Sequence, residues 1–315
     1  MKRMLSLLSI GVMMACSEQP ESSPSTPEAD TPLTVYSFSY PTSYLIDRLA
    51  GDAVEHSCIL PAGEDTASWK PSTEGIVQLQ KADLLFSNGL GFEGWVKTAA
   101  LPSSKLIEAA KFVDPIEMAG KTHSHGTGGA HSHGEIDPHA WSDPNTYSQM
   151  ADVVAKALYD QRPDLTEQVK TNLTALKSEL TALDARNDVL FADAGKYVFA
   201  ANHPSYSYLM RAQNVKIKNF DLDPEGELDT HELGKFESWA QGKDAIVLLW
   251  EANPLPTHTA RFSNTTHYTI DPLEAPADGT YDYVAQYKAN QELFATIISQ
   301  ATKPVDSEAT QPEQP

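Results

Sequence analysis

The chain has 315 residues, and its 43 acidic side chains against 23 basic ones leave a formal charge of −20 at pH 7. That balance excludes nucleic acid and anionic lipid as ligands and suits a protein that handles cations. There are 2 cysteines, Cys16 and Cys58.

The first residues read as an export signal. Lys2 and Arg3 precede an apolar run from Leu5 to Met14, too short to remain as a bilayer-spanning helix, and the run ends in Met13-Met14-Ala15-Cys16. A small residue before a cysteine at the end of such a run resembles the lipobox of bacterial lipoproteins. Residues 1–16 are therefore expected to be a signal peptide ending in a lipidated Cys16, whose acyl chains hold the protein at a membrane surface. Residues 17–32, rich in Pro, Ser, Thr and Glu, bury too little to order themselves and read as a tether. With Cys16 acylated only Cys58 remains, so no internal disulfide is expected and the fold must rest on its core. Residues 305–315 read as a disordered tail.

Between these ends, strand and helix signals alternate. Leu33-Tyr40 reads as a strand, Thr42-Leu49 as a helix stopped by Gly51, and Val54-Leu60 as a second strand. Ser72 caps a helix to about Lys81, and Leu84-Ser87 forms a strand ending at Asn88-Gly89. This alternation implies a parallel sheet flanked by helices in an N-terminal lobe, residues 33–162. A stripe of Leu165, Val169, Leu173, Leu176, Leu180, Leu183 and Leu190 marks one long helix within 163–194. At about 30 residues it would be ~45 Å long, able to run along both lobes and restrict hinge motion. A second α/β lobe, residues 195–304, follows with strands at Tyr197-Ala201, Val215-Asp221, Ala245-Trp250 and Tyr268-Asp271. Its helices begin near Tyr206 and Thr230, and a last one covers Tyr281-Ser299. The fold class is thus α/β, two lobes with parallel sheets joined by one connecting helix, and the ligand belongs beyond the carboxyl ends of the strands.

Six of the 10 histidines carry a chemical argument. Residues 121–134 hold His123, His125, His131 and His133 among glycines and small polar residues, with no apolar period. The segment reads as a mobile loop that binds transition metals weakly through neutral imidazoles. Directly after it, two Asp-Pro steps bracket His139 and Trp141 and restrict the backbone there. His203 stands between a strand and a helix in Ala201-Asn-His-Pro204, and Asp271 ends a strand in Ile270-Asp-Pro-Leu273. Two imidazoles and a carboxylate from three strand ends suit a borderline divalent cation. His56 and Cys58 share one strand face and read as a packed pair.

These motifs resemble the zinc/manganese solute-binding lipoproteins of ABC importers, over nearly the whole mature length. The resemblance rests on Leu60-Pro-Ala-Gly-Glu-Asp65, Lys81-Ala-Asp-Leu-Leu-Phe-Ser-Asn-Gly89, the His-rich segment with Asp137-Pro-His-Ala-Trp141, His203 with Tyr206 and Tyr208, Pro224-Glu-Gly226, and Ile270-Asp-Pro-Leu273. It implies one metal between the lobes, held here by His139, His203 and Asp271. It also implies Zn2+ (or Mn2+ or another divalent transition metal) as the transported ligand, an ABC permease as partner, and a monomer in the periplasm or at the outer cell surface. One departure stands out. Family members carry a first histidine just after the Gly-Glu-Asp turn, and here that position is Ala67. Glu64, Asp65, a water or a histidine of the loop is expected to complete the shell. The alternatives are a metal buffer or adhesin without a permease, an organic chelate held by the same architecture, and a zinc hydrolase using the open position. No His-Glu-x-x-His, oxyanion glycine loop or phosphate cradle supports the hydrolase.

Overall fold

A computed structural model describes residues 32–118, 122–125, 129–132, 136–262, 264–277 and 279–301; Cys16, His133 and both chain ends lie outside the described residues. The N-terminal lobe is built on a parallel sheet ordered β2-β1-β3-β4, from β1 (Leu33–Ser37), β2 (Val54–Cys58), β3 (Leu84–Ser87) and β4 (Leu106–Glu108). The C-terminal lobe repeats it as β10-β9-β11-β12, from β9 (Val198–Ala201), β10 (Ile217–Asn219), β11 (Ile246–Trp250) and β12 (Thr265–Thr269). Every residue of β11 is buried. Val247 and Leu249 enter one cluster with Phe199 and Phe294, while Ile246, Leu248 and Trp250 enter another with Phe220 and Phe236. A strand covered on both faces in this way is the signature of a parallel sheet between helical layers.

Local chemistry sets the helix ends. Helix α1 (Tyr40–Ala50) opens with Pro41 in its first turn and closes on Gly51, whose φ of 52° lies in the left-handed region that glycine tolerates. The Ser72 hydroxyl accepts from Gly75 N at 3.2 Å to start α2 (Thr73–Leu79). Helix α3 (Pro144–Gln161), which the sequence reading did not anticipate, starts with Asp143 accepting from Thr146 N at 3.0 Å and with Pro144 as first residue. Then comes α4 (Thr166–Phe191), the long helix, 26 residues and ~39 Å. Its buried face is Val169, Leu176, Leu180, Leu183, Asn187 and Phe191, so the expected stripe continues through a buried amide. Asn187 Nδ2 donates to Tyr287 Oη at 2.8 Å, and Gln291 Nε2 donates to Leu183 O at 2.7 Å, which pairs these buried amide donors across the contact with α8 (Tyr283–Ala301). The remaining helices are α5 (Ser207–Ala212), α6 (Thr230–Ala240) and the one-turn α7 (Pro256–Thr259).

Three expectations are corrected. The strand placed at Tyr268-Asp271 lies earlier, at β12, so Asp271 is in the loop beyond it. The His-rich segment contains paired backbone: β6 (Thr122–His125) and β7 (Gly129–Ser132) form an antiparallel ribbon with His123 opposite His131 and His125 opposite Gly129. It is flanked by a second ribbon of β5 (Ile116–Glu117) and β8 (Ile136–Asp137). Finally, the strand placed at Val215-Asp221 is shorter, at β10. From Leu33 onward the chain forms one compact unit, and one core cluster unites Val35, Leu45, Trp141 and Leu180 with Tyr208, Leu273, Tyr283 and Tyr287 of the second lobe.

Candidate metal centre

His139 follows β8 and precedes a one-turn 3-10 helix, Ala140–Ser142. Asp137, fully buried, clamps it twice: Oδ1 accepts from the His139 backbone N at 2.9 Å and pairs with ring Nδ1 at 2.7 Å. A histidine whose Nδ1 is bound to a carboxylate presents Nε2 as its ligating atom, the arrangement in which the carboxylate both orients the ring and raises its basicity. Burial pushes the imidazole toward the neutral form, but Asp137 and Glu274 outweigh it and hold the His139 pKa above the usual histidine range. The backbone here is fixed from both lobes. Asn88 Nδ2 donates to Pro138 O at 3.0 Å, and Tyr208 Oη donates to Asp137 O at 2.9 Å. Phe92 and Trp141 pack on the ring with centroids 6.0 and 5.2 Å away.

His203 lies beyond β9, with extended backbone and only 2% of its surface exposed. Its neighbour Asn202 ties that loop to β11 and β10, accepting from Glu251 N at 3.0 Å and donating to Leu222 O at 3.0 Å. The His203 ring stands 5.0 Å from that of His139 at an interplanar angle of 89°. The two imidazoles expected to share an ion are therefore side by side and buried.

Asp271 is held differently. Its Oδ1 accepts from Leu273 N at 2.8 Å and its Oδ2 from Gln286 Nε2 at 2.7 Å. The carboxylate facing His139 Nε2 is Glu274, with Oε1 at 3.4 Å. Among the described residues no three His, Cys, Asp or Glu side chains are grouped closely enough to hold an ion as they stand. The cavity beside Asp271, lined by Ser205, Tyr206 and Pro272, measures about 10 Å³. That is room for one water-sized body.

The other candidates are also placed. Glu64 is exposed, and Asp65 Oδ1 accepts from Ala67 N at 2.8 Å. Ala67 is half-buried against the core that contains Phe92 and Trp141, the two rings on His139. His123, His125 and His131 lie on the β6–β7 ribbon. His56 is packed, its side chain 6% exposed, and bonds Ser37 Oγ at 2.9 Å and Asp47 Oδ1 at 2.7 Å. This row has the composition of a hydrolytic triad with the exposure reversed, since Ser37 is fully buried and the Asp47 side chain is 62% exposed. It staples α1 to β1 and β2. Burial raises the Cys58 thiol pKa and keeps it protonated. Glu274 is the residue sequence reasoning missed; its signal was an acid three residues after Asp271 in the same turn.

Two parallel α/β lobes over a shared core, with two imidazoles buried side by side in loops after β8 and β9, define the class: a two-lobed α/β protein with a candidate metal centre. The profile of the family described as zinc-uptake complex component A, periplasmic, matches residues 35–297, and the chain belongs to that family. It is a family of solute-binding components of importers, not of enzymes, which sets the hydrolase alternative aside. The zinc-binding lipoprotein AdcA of Streptococcus pneumoniae is 23% identical over 301 residues, covering 92% of this chain; the chain spans 58% of that relative's length. The metal ABC transporter substrate-binding lipoprotein SsaB of Streptococcus sanguinis is 28% identical over 239 residues, covering 71% of this chain and 73% of its own. Among solved structures, the Zn(II)-bound ZnuA-like domain of S. pneumoniae AdcA superposes with a TM-score of 0.71 at 21% identity, over 86% of this chain and all of that domain.

Proposed function

We propose that the chain captures a divalent transition metal outside the cytoplasm, zinc ahead of manganese, and hands it to an ABC permease while tethered through Cys16. The observation that carries this reading is the buried His139–His203 pair, with His139 Nδ1 bound by Asp137 and its Nε2 turned to the remaining donors. A solute-binding protein releases its cargo unchanged, so it needs a shell and no nucleophile. Relatives described as zinc-binding and manganese-binding support both cargoes; two imidazoles favour zinc. Asp271 completes the ligand set once the ion competes for its oxygens. The protein acts as a monomer in this reading. Metal analysis of protein purified without chelators should find one equivalent of zinc that survives competition by a moderate chelator. Metal-free protein that fails to compete for zinc would overturn the reading.

Two further results follow from the same site. Restoring the family's first imidazole by Ala67→His should tighten zinc binding by one to two decades, about 1.4–2.7 kcal/mol, unless another side chain already holds that coordination position. Ala67 is half-buried against the core cluster that contains Phe92 and Trp141, and the prediction requires its side chain to face the site. Competition titration of both proteins at one pH checks it, and equal affinities would show that the position is already filled. Deleting residues 122–133, which carry His123, His125, His131 and His133, should remove weak extra zinc sites and leave the tight one. Loss of the tight site would assign a loop histidine to the shell.

A further inference from the structure

Ala67 leaves the family's first-histidine position without an imidazole, and the Asp271 loop offers another donor. Beyond β12 the chain runs Asp271-Pro-Leu-Glu274. Leu273 adopts φ 62°, a left-handed conformation that non-glycine residues seldom take, and its side chain is 2% exposed in the core shared by both lobes. The loop is held from two sides: Gln286 Nε2 donates to Asp271 Oδ2 and Ala275 O at 2.7 and 2.9 Å, and Tyr281 Oη donates to Leu273 O at 2.8 Å. Anchoring on both flanks of Glu274 fixes where its carboxylate reaches. It reaches His139.

The two sides of the His139 ring differ in a way that distinguishes a hydrogen bond from a ligand gap. On the Nδ1 side the Asp137 oxygen is 2.7 Å away, the length of a charge-assisted hydrogen bond. On the Nε2 side the Glu274 oxygen is 3.4 Å away, long for such a bond. Two donors each ~2.0–2.1 Å from a tetrahedral zinc ion stand ~3.3–3.4 Å apart. The Nε2–Oε1 separation therefore already matches two ligands of one ion. Glu274 keeps 22% side-chain exposure, while the Oε1 that faces His139 is buried. Glu64, by contrast, is exposed on its turn, and Asp65 spends one oxygen on Ala67 N.

We infer that Glu274 is a direct metal ligand in this chain, taking the coordination position that a first histidine would fill where Ala67 stands. This deepens the proposed function and rests on it. The resulting donor set, His139, His203, Asp271 and Glu274, holds two nitrogens and two carboxylates. It is harder than one with three imidazoles and accepts Mn2+ more readily beside Zn2+.

Glu274→Gln keeps the side-chain volume and removes the anionic donor. Zinc affinity by chelator competition is expected to fall 10- to 100-fold, and Mn2+ affinity to fall further still, while the thermal midpoint of the metal-free protein is unchanged. The absorption bands of the Co2+-loaded protein should shift in energy and intensity, because one ligand has been exchanged; a residue that merely orients His139 would leave them in place. Glu274→Asp should recover part of the affinity. An unchanged zinc affinity in Glu274→Gln, or a loss without change in the Co2+ spectrum, would overturn this inference. The parent reading fails separately, if wild-type protein does not bind zinc or if His203→Ala binds as well as wild type.

Discussion

His203→Ala is expected to weaken zinc binding by two decades or more, at least about 2.7 kcal/mol. The ring it removes is 98% buried and stands perpendicular to His139 at 5.0 Å. The loop that carries it is tied by Asn202 to the segments just beyond β10 and β11. The ion would retain His139 and carboxylates alone, and a borderline cation loses most from the removal of nitrogen. His231→Ala, an exposed residue at the start of α6, is the control and should titrate as wild type. Chelator competition on both variants decides the matter: equal weakening would show that the lost affinity was nonspecific.

The second large effect concerns stability. Glu93 is 3% exposed, and burial pushes its carboxyl up to about 7 from the usual 4.5, against partial relief from the backbone N–H groups of Asn88 and Gly89 and the Ser39 hydroxyl. A carboxyl with a raised folded pKa favours the folded state below the unfolded value and loses that advantage as pH climbs through the folded value. Wild type should therefore lose stability across pH 4.5 to 7 from this group alone. Glu93→Gln cannot ionise, so its stability relative to wild type should rise by about 2–3 kcal/mol between pH 5 and pH 8. Urea unfolding of both proteins at the two pH values measures this. The difference between pH values is the readout, since a fixed penalty for the amide cancels from it. A pH-independent offset would mean that Glu93 ionises in place.

Where the sequence was legible, a single local signal sufficed. Gly51 ended α1, Ser72 began α2, the apolar run Ala245-Trp250 became the buried β11, and the leucine stripe became α4. His139 and His203 could be placed in loops because Pro brackets the first and follows the second, and the structure brings their rings to 5.0 Å. What escaped needed long-range information. Asp143-Pro144 carries an N-cap and a first-turn proline, yet beside His139 it read as a loop bracket and hid α3. The three-residue β4 depends on β3 for its pairing, not on its own propensity. Glu274 looked like one acid in an acidic chain; only the left-handed Leu273 and the closure by α8 bring it to an imidazole. The His56 bonds to Ser37 and Asp47 join three elements, a geometry no spacing announces.

The stretch from Asp137 to Ser142 carries one further consequence. Besides the bonds from Asn88 and Tyr208, Trp141 Nε1 donates to Pro272 O at 2.9 Å and Tyr283 Oη donates to Trp141 O at 2.7 Å. The strand-end loop of the first lobe is thus stitched to the second by residues on three of its segments, over a core that both lobes share. Parting the lobes as rigid jaws would break these bonds together and wet Trp141, Leu273 and Tyr283. Fraying the loop between β12 and α8 would break the Trp141–Pro272 bond and leave those from Asn88, Tyr208 and Tyr283 in place. Under the proposed function, metal exchange is expected to follow local opening of that loop and not parting of the lobes. Amide exchange confined to residues 272–282, slowed when metal is bound, would be its signature.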